Sequence, residues 1–347
     1  MSIRDIIVIG ASSGGVEALR KLVASLPEDL PASVLVVLHI PPESGSMLPE
    51  ILARSGPLPA RHPSDGEKPE RGTIYIAPPD HHMLLGAGEI RLDRGPRENG
   101  HRPAIDPLFR TAAAAYGPRV IGVILSGGGD DGSAGLQVIK DRGGLAVVQE
   151  PADAVFAFMP SAAMLAVDVD ASAPAAALAP LIVEMVSDPA VSVSSVPHAP
   201  ISKEEGEIGM VEQAKKDEAE PKSRTGESGP TIITCPDCGG TLFDVSRKNL
   251  LRYRCHVGHV FSVQSLNAGQ KTVIEEALWN AVRMFEERVV LSSRLLKDAE
   301  ARGLEAVATG FREQVRRARV SAKLIEELLL EHRRAGKGPA RAEGSLD

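Results

Sequence analysis

Apolar residues recur in two different periods along the first half of this chain. Short β-branched runs at residues 6–9, 34–38, 74–77, 120–125 and 146–149 are bounded by Gly, Pro or Asp, which is how strands buried in a sheet read. Between them, stretches 15–25, 106–116 and 132–142 carry apolar residues at helical spacing. Over residues 1–195 this alternation predicts an α/β domain built on a mostly parallel sheet covered on both faces.

The pattern then changes. Residues 196–230 are rich in Lys, Glu, Pro, Ser and Gly with few large apolar side chains, which predicts a disordered linker because too little surface is available to bury. A cysteine-bearing unit occupies residues 231–270. From 271 to 334 the helical spacing returns, with Val273, Ala277, Leu278, Ala281, Val282 and Phe285 on one stripe. Arg302-Gly303 interrupts that run, so the segment reads as a helical hairpin. Residues 335–347 read as a disordered tail.

Composition narrows the function. A chain of 347 residues is longer than one usual domain. With 43% hydrophobic but only 3% aromatic residues, aliphatic side chains must fill the core. A net charge of −7 argues against nucleic acid as the main partner, since phosphate binding needs a concentrated basic surface. No apolar stretch is long enough to span a bilayer and no leader pattern is present, so the protein is expected to be cytoplasmic and not membrane-inserted. The three cysteines, Cys235, Cys238 and Cys255, fall in one segment, a set that reads as metal binding rather than a disulfide framework.

The first strand ends in Gly10-Ala11-Ser12-Ser13-Gly14. No lysine completes a phosphate-cradling loop, and the dinucleotide spacing is absent. The pattern fits Gly-x-Ser-x-Gly, which sets a serine on a sharp strand-to-helix turn beside backbone N–H groups. Alone, the same glycines also fit a plain connecting turn. A serine needs a base and an orienting acid. Strand 34–38 runs into His39, and strand 120–125 runs into the open loop that holds Asp131. Each has a bland alternative, a structural histidine or a turn aspartate, but together they place a hydroxyl, an imidazole and a carboxylate at three strand ends, where α/β sheets collect their working groups.

The segments IGASSGGVEAL, LHIPPE, NGHRPAIDPLF and LSGGGDDGSAGL, followed by Val148-Gln149 and Met159-Pro160, resemble the catalytic domain of the chemotaxis receptor protein-glutamate methylesterase family (CheB). The resemblance implies a doubly wound, Rossmann-like α/β domain that hydrolyses glutamyl methyl esters, with glutamine deamidation as a second activity. It implies Ser12 as nucleophile, His39 as base and Asp131 as acid, with no catalytic cofactor and with methyl-accepting chemotaxis receptors or related sensors as partners. Ser13 stands where the family usually has threonine. Gly128 stands where it has a methionine whose backbone N–H helps form the oxyanion hole. Arg102, with His101 and Asp106, is expected to line the substrate groove, Arg102 pairing with acidic receptor helices; alternatively Asp106 caps a helix and the others are solvated. His62, His81 and His82 are expected at the surface. Family members usually carry a receiver domain ahead of the esterase. Here the expectation is a chain without one, its regulation passed to the C-terminal module.

TCPDCGG and RYRCHVGHVFS give Cys235-x2-Cys238 and then Cys255 with His256 and His259. That spacing predicts a closed, structural zinc site, a zinc-ribbon-like module with His259 as fourth ligand and His256 as runner-up. A unit of about forty residues has little core and needs such a staple. Arg247, Lys248, Arg252 and Arg254 form a modest basic patch offset by Asp237 and Asp244. The following helices carry interleaved Glu and Arg, favouring protein contacts over nucleic acid. A non-catalytic signalling scaffold is the competing reading, and a zinc-dependent nucleic-acid adaptor a more distant third.

Overall fold

The computed structural model describes residues 4–187, apart from 44 and 87, and residues 230–335, apart from 247–249. Except for Pro230 and Ala335, the expected linker and tail lie outside the described residues. So do Arg247 and Lys248 of the expected basic patch. The chain divides into two compact units, Met1–Leu266 and Asn267–Asp347.

In chain order the first unit runs β1 (Ile6–Ala11), α1 (Gly15–Val23), β2 (Ser33–Leu38), α2 (Leu48–Ser55), β3 (Ala60–Arg61), β4 (Ile74–Ile76), β5 (His82–Leu85), β6 (Ile90–Asp93), α3 (Ile105–Tyr116), β7 (Val120–Ile124), α4 (Ser133–Asp141), β8 (Leu145–Gln149), α5 (Phe158–Ala166), β9 (Ala171–Ala173) and α6 (Ala175–Ser187). Seven strands form a parallel sheet in the order β3-β4-β2-β1-β7-β8-β9. Strands β1, β2, β7 and β8 are buried along their whole length, so their sequences are apolar throughout and do not alternate. One face packs Ile7, Ile9, Val34, Val36 and Val123 against α1, α2 and α6. The other packs Val8, Leu35, Val37, Ile124 and Val148 against α3, α4 and α5. β5 and β6 form an antiparallel hairpin of their own.

Strand order reverses direction at β1, which pairs with β2 on one side and with β7 on the other. The crevice beyond the carboxyl ends of β1 and β7 is therefore the switch point where doubly wound sheets hold ligands. Gly14 makes the turn out of β1 possible. Its φ is +74°, and a Cβ there would lie 2.7 Å from Ser126 Oγ and 2.9 Å from Val155 Cβ, so only glycine fits.

Helices α3 and α4 cap each other's N-termini. Ala104 and Gly132, their N-cap residues, make no side-chain cap. Instead Asp131 accepts from the N–H groups of Ile105 (2.6 Å) and Asp106 (3.3 Å), while Asp106 accepts from Gly132 (3.1 Å) and Gly135 (2.6 Å). Each carboxylate satisfies orphan donors and meets the positive end of the other helix. Asp106 thus caps the neighbouring helix and not its own. At Gly135, a Cβ would stand 2.5 Å from Phe109 Cβ and 3.1 Å from Asp106 Oδ1. Gly135→Ala should therefore destabilise by about 1–3 kcal/mol, the overpacking outweighing the ~1 kcal/mol that alanine gains in a helix interior. Urea unfolding checks this against Gly45→Ala, where nothing lies within 4 Å.

The cysteine segment forms a four-stranded antiparallel sheet, β10 (Pro230–Thr234), β11 (Thr241–Asp244), β12 (Arg252–Cys255) and β13 (Val260–Ser262). Its core is small, built from Cys235, Leu242, Cys255, Phe261 and Leu266. Helix α7 (Val263–Ala301) starts directly out of β13, eight residues before the onset that apolar spacing suggests. Ser262 explains the early start. Its Oγ accepts from Ser265 N at 3.0 Å, an N-cap geometry. In the second unit α7 turns at Gly303, whose φ is +69°, into α8 (Glu305–Ala335). Among the described residues no helix is long and apolar enough to cross a membrane.

Candidate functional site

Register alone brings the three candidate groups to one rim. Ala11 pairs with Leu38 and Gly10 with Ile124, so Ser12, His39 and the loop after β7 emerge side by side from adjacent strands. Backbone bonds tie these exits together. Ser12 N donates to Ser126 O at 3.0 Å, and His39 N to Ala11 O at 3.1 Å. Beneath them Gln149 accepts from Ser126 N at 2.8 Å. Met159 packs under Gly127, where an added Cβ would meet its Sδ at 2.7 Å and Ser12 Cβ at 3.0 Å. The exposed side chains of Val155, Phe156 and Phe158 give the start of α5 and the chain just ahead of it an apolar surface, with Val155 and Phe156 against Gly14 at this rim.

His39 and Asp131 form a buried pair. Nε2 lies 2.8 Å from Asp131 Oδ2, with side chains 5% and 3% exposed. An ionised carboxylate only accepts, so the ring proton belongs on Nε2 and the lone pair on Nδ1. Nδ1 is buried and has no hydrogen-bond partner. Burial opposes ionisation of Asp131, but the hydrogen bond from His39 and the N–H of Ile105 outweigh it, holding the carboxyl well below the usual carboxylate range. Nδ1 is thus the basic nitrogen of a ring whose orientation is fixed by its other side.

Ser12 Oγ is not bonded to Nδ1 in this geometry, as is common for such pairs before a substrate is bound. Among the described residues neither Ser13 N nor Gly128 N has an intramolecular acceptor. Both residues are exposed, and around the Cβ position of Gly128 nothing lies within 4 Å. Two backbone donors with no internal partner beside a serine are what an oxyanion requires.

The residues of the NGHRP segment separate. The His101 ring stacks on His39 at 3.7 Å between centroids. Although the residue is exposed as a whole, desolvation of the stacked ring and the proximity of His39 push its pKa down. Arg102 is occupied within the fold, donating to Asp80 Oδ1 (2.6 and 2.9 Å) and to the carbonyls of Arg94 and Gly95. Any pairing with an acidic substrate would compete with those bonds. His82 departs from the surface position expected of it. It is 4% exposed and bridges two backbone groups, Nε2 facing Pro96 O at 3.0 Å and Nδ1 accepting from Ala104 N at 3.3 Å. His62 and His81 are half-buried, with Nδ1 on the carbonyls of Ile76 and Pro79.

Sequence reasoning missed Asn99. It has a positive φ of 52° and is 7% exposed. Its Nδ2 donates to Asp131 Oδ1 at 2.9 Å and to Asp106 Oδ2 at 3.2 Å. The Asn-Gly dipeptide signals a turn, but nothing local shows that the side chain points at Asp131.

In the cysteine module, one ligand atom each from Cys235, Cys238, Cys255 and His259 lie within 4.8 Å of one another. Cys238 and Cys255 Sγ are 3.7 Å apart, and His259 Nδ1 is 3.7 Å from Cys235 Sγ and 3.5 Å from Cys255 Sγ. A tetrahedral zinc with bonds of about 2.3 Å to sulfur and about 2.0 Å to nitrogen has S···S edges of ~3.8 Å and S···N edges of ~3.5 Å. The donor set and its spacing therefore fit a metal ion. His256 lies outside this cluster, its ring beside Gly240.

Fold and site together describe a doubly wound α/β protein with a serine, a histidine and an aspartate gathered at its switch point. Comparison with known proteins gives the kinship. A family model described as CheB methylesterase matches residues 7–182, and the chain belongs to that family. It is 40% identical over 167 residues to the protein-glutamate methylesterase/protein-glutamine glutaminase 2 of Methanosarcina mazei, covering 46% of each chain. It is 43% identical over 169 residues to the corresponding protein 3 of Anaeromyxobacter dehalogenans, covering 48% of this chain and 49% of that one. The chain thus spans about half the length of these curated relatives. The crystal structure of the Thermotoga maritima CheB methylesterase catalytic domain is similar with a TM-score of 0.51 and 34% identity, covering 52% of this chain and 98% of that one.

Proposed function

We propose that this chain hydrolyses glutamyl methyl esters on chemoreceptors or related sensor proteins. Ser12 Oγ attacks the ester carbonyl as His39 Nδ1 takes its proton, and the N–H groups of Ser13 and Gly128 receive the oxyanion. His39 returns the proton to the leaving methoxide, so methanol departs and an acyl-serine remains. Water, deprotonated by the same nitrogen, then releases the glutamate and restores Ser12. Asp131 stays ionised throughout and holds the imidazolium. A glutamine side chain would follow the same path with ammonia leaving. The observation that carries this reading is the buried His39–Asp131 pair with its second nitrogen unpartnered beside the strand end that bears Ser12. The names of the curated relatives support the substrate class.

Methanol release from a methylated receptor tests it. A non-catalytic scaffold, the competing possibility, would release none above the blank. Asp131→Asn sharpens the test. The carboxylate accepts from the ring N–H and Ile105 N on Oδ2 and from Asn99 Nδ2 and Asp106 N on Oδ1, and an amide, one of whose two positions donates, cannot satisfy both sets. The wrong histidine tautomer follows, and kcat is expected to fall about 10⁴-fold. For the cysteine module we propose structural zinc held by Cys235, Cys238, Cys255 and His259, a closed four-ligand set with no position left for substrate.

A further inference from the structure

Strands β12 and β13 of the ribbon pack against the acid side of the rim, and the contacts converge on one cluster. Arg252, in β12, leaves the expected basic patch and turns inward. Its NH1 lies 2.6 Å from Asp106 Oδ2 and its NH2 3.3 Å from Glu98 Oε2, across 146 residues of sequence in the first case. The side chains are 14%, 2% and 10% exposed. Arg110 grips the other side of Glu98 at 2.7 and 3.0 Å. Asn99 is the joint between module and rim. Its backbone N donates to Val260 O at 2.7 Å, and its Oδ1 accepts from Ser262 N and Ser265 Oγ, both at 3.0 Å. Its Nδ2 holds Asp131 and Asp106. Ser262 Oγ also donates to Asp130 at 2.7 Å.

We infer that the cysteine module is a working part of the hydrolytic centre, with Arg252 as a positioning residue that acts on Asp131 through Asp106 and Asn99. The inference rests on the esterase reading above. Four carboxylates, Glu98, Asp106, Asp130 and Asp131, face one another here, with Arg252 and Arg110 as their cations, His82 close to Glu98, and His39 and His101 beyond Asp131. Burial pushes the Asp106 carboxyl up against the pull of Arg252, and Asp131 pushes it further. Without the guanidinium, Asp106 takes up a proton at higher pH. An acid group in place of the carboxylate competes with Asn99 for Asp131 and disturbs the caps on α3 and α4. A buried charge stripped of its partner is costly, and the cost here falls on the residue that fixes His39.

The test compares the full chain with Arg252→Gln and Arg252→Lys. Arg252→Gln is expected to lower kcat about tenfold to a hundredfold, the usual effect of losing a partner that orients a working group, with KM nearly unchanged. The acid limb of kcat/KM should move to higher pH, and Arg252→Lys should return it towards the parent position because the charge is kept. Unchanged activity, or a loss equal at every pH, would overturn the inference; the latter would mean that Arg252 only glues the module on. If Arg252→Gln does not fold, the lysine variant carries the test by the same rule: a smaller loss of activity that grows towards low pH supports the role, and parent-like activity or a loss equal at every pH refutes it. The low-field proton resonance of the His39–Asp131 hydrogen bond is a second readout that needs no substrate. It should broaden or shift in Arg252→Gln. If the parent releases no methanol, the esterase reading fails, and this resonance still decides whether the module touches the pair.

Discussion

Ser12→Ala is expected to lower methanol release from a methylated receptor by about 10⁴- to 10⁶-fold while the protein stays folded. The fold should tolerate the change because the strand exit is held by backbone, Ser12 N on Ser126 O, and the removed hydroxyl leaves no cavity in the core. The chemistry should not tolerate it. Without Oγ, the lone pair on His39 Nδ1 has no proton to remove from the chain, and direct attack by water forgoes the acyl intermediate. Ser13→Ala is the informative control, because only the backbone N–H of Ser13 is used and its side chain is exposed. That variant should keep release within a few-fold of the parent. Parent-like release from Ser12→Ala would remove the nucleophile from the scheme. Circular dichroism on the same samples separates lost chemistry from lost structure.

Purified protein is expected to carry about one zinc per chain, and stripping it should melt the four-stranded ribbon. The apolar core there is small, whereas structural zinc typically contributes about 10–16 kcal/mol of apparent binding energy that is also folding energy. Cys238→Ser makes the sharpest variant. Cys238 is exposed while Cys235 and Cys255 are buried, so the substitution removes a ligand without opening a void. Metal content should fall, and the ribbon strands should become protease-sensitive while the seven-stranded sheet remains resistant. A well-folded ribbon with metal content near zero would refute the assignment. Zinc chelation should also release Arg252 and Ser262 from their carboxylates, so esterase activity is expected to decline with the ribbon.

The parallel strands were legible because they are buried on both faces and their sequences say so. Runs 6–9, 34–38 and 120–125 fall within one residue or two of β1, β2 and β7. Ser12 and His39 were legible because they follow β1 and β2 directly, and Asp131 because it sits in the glycine-rich loop that β7 runs into. Other elements carried weaker signals. β3 has two residues and β9 three, too short for any period to show, and α6 contains Pro180, a residue that speaks against helix. Ser262, placed to cap α7, sits in a segment that reads first as strand. Asn99 and Arg252 were out of reach for a different reason. Their partners are set by how the ribbon docks, and no local pattern encodes a bond across 146 residues. In the sequence Arg252 reads as part of a modest basic patch. Only the buried carboxylates opposite it reveal its use.

The pairing of the strand at residues 6–11 with the strand at 120–124 has a kinetic corollary. Ser12 and Asp131, the proposed nucleophile and acid, follow strands that meet only after the chain has closed a contact across more than a hundred residues, a slow event in the folding of such topologies. A ribosome-bound or half-collapsed chain is therefore expected to show no turnover, and under the proposed chemistry recovery of activity after dilution from denaturant should report a late cooperative step of assembly rather than an early one.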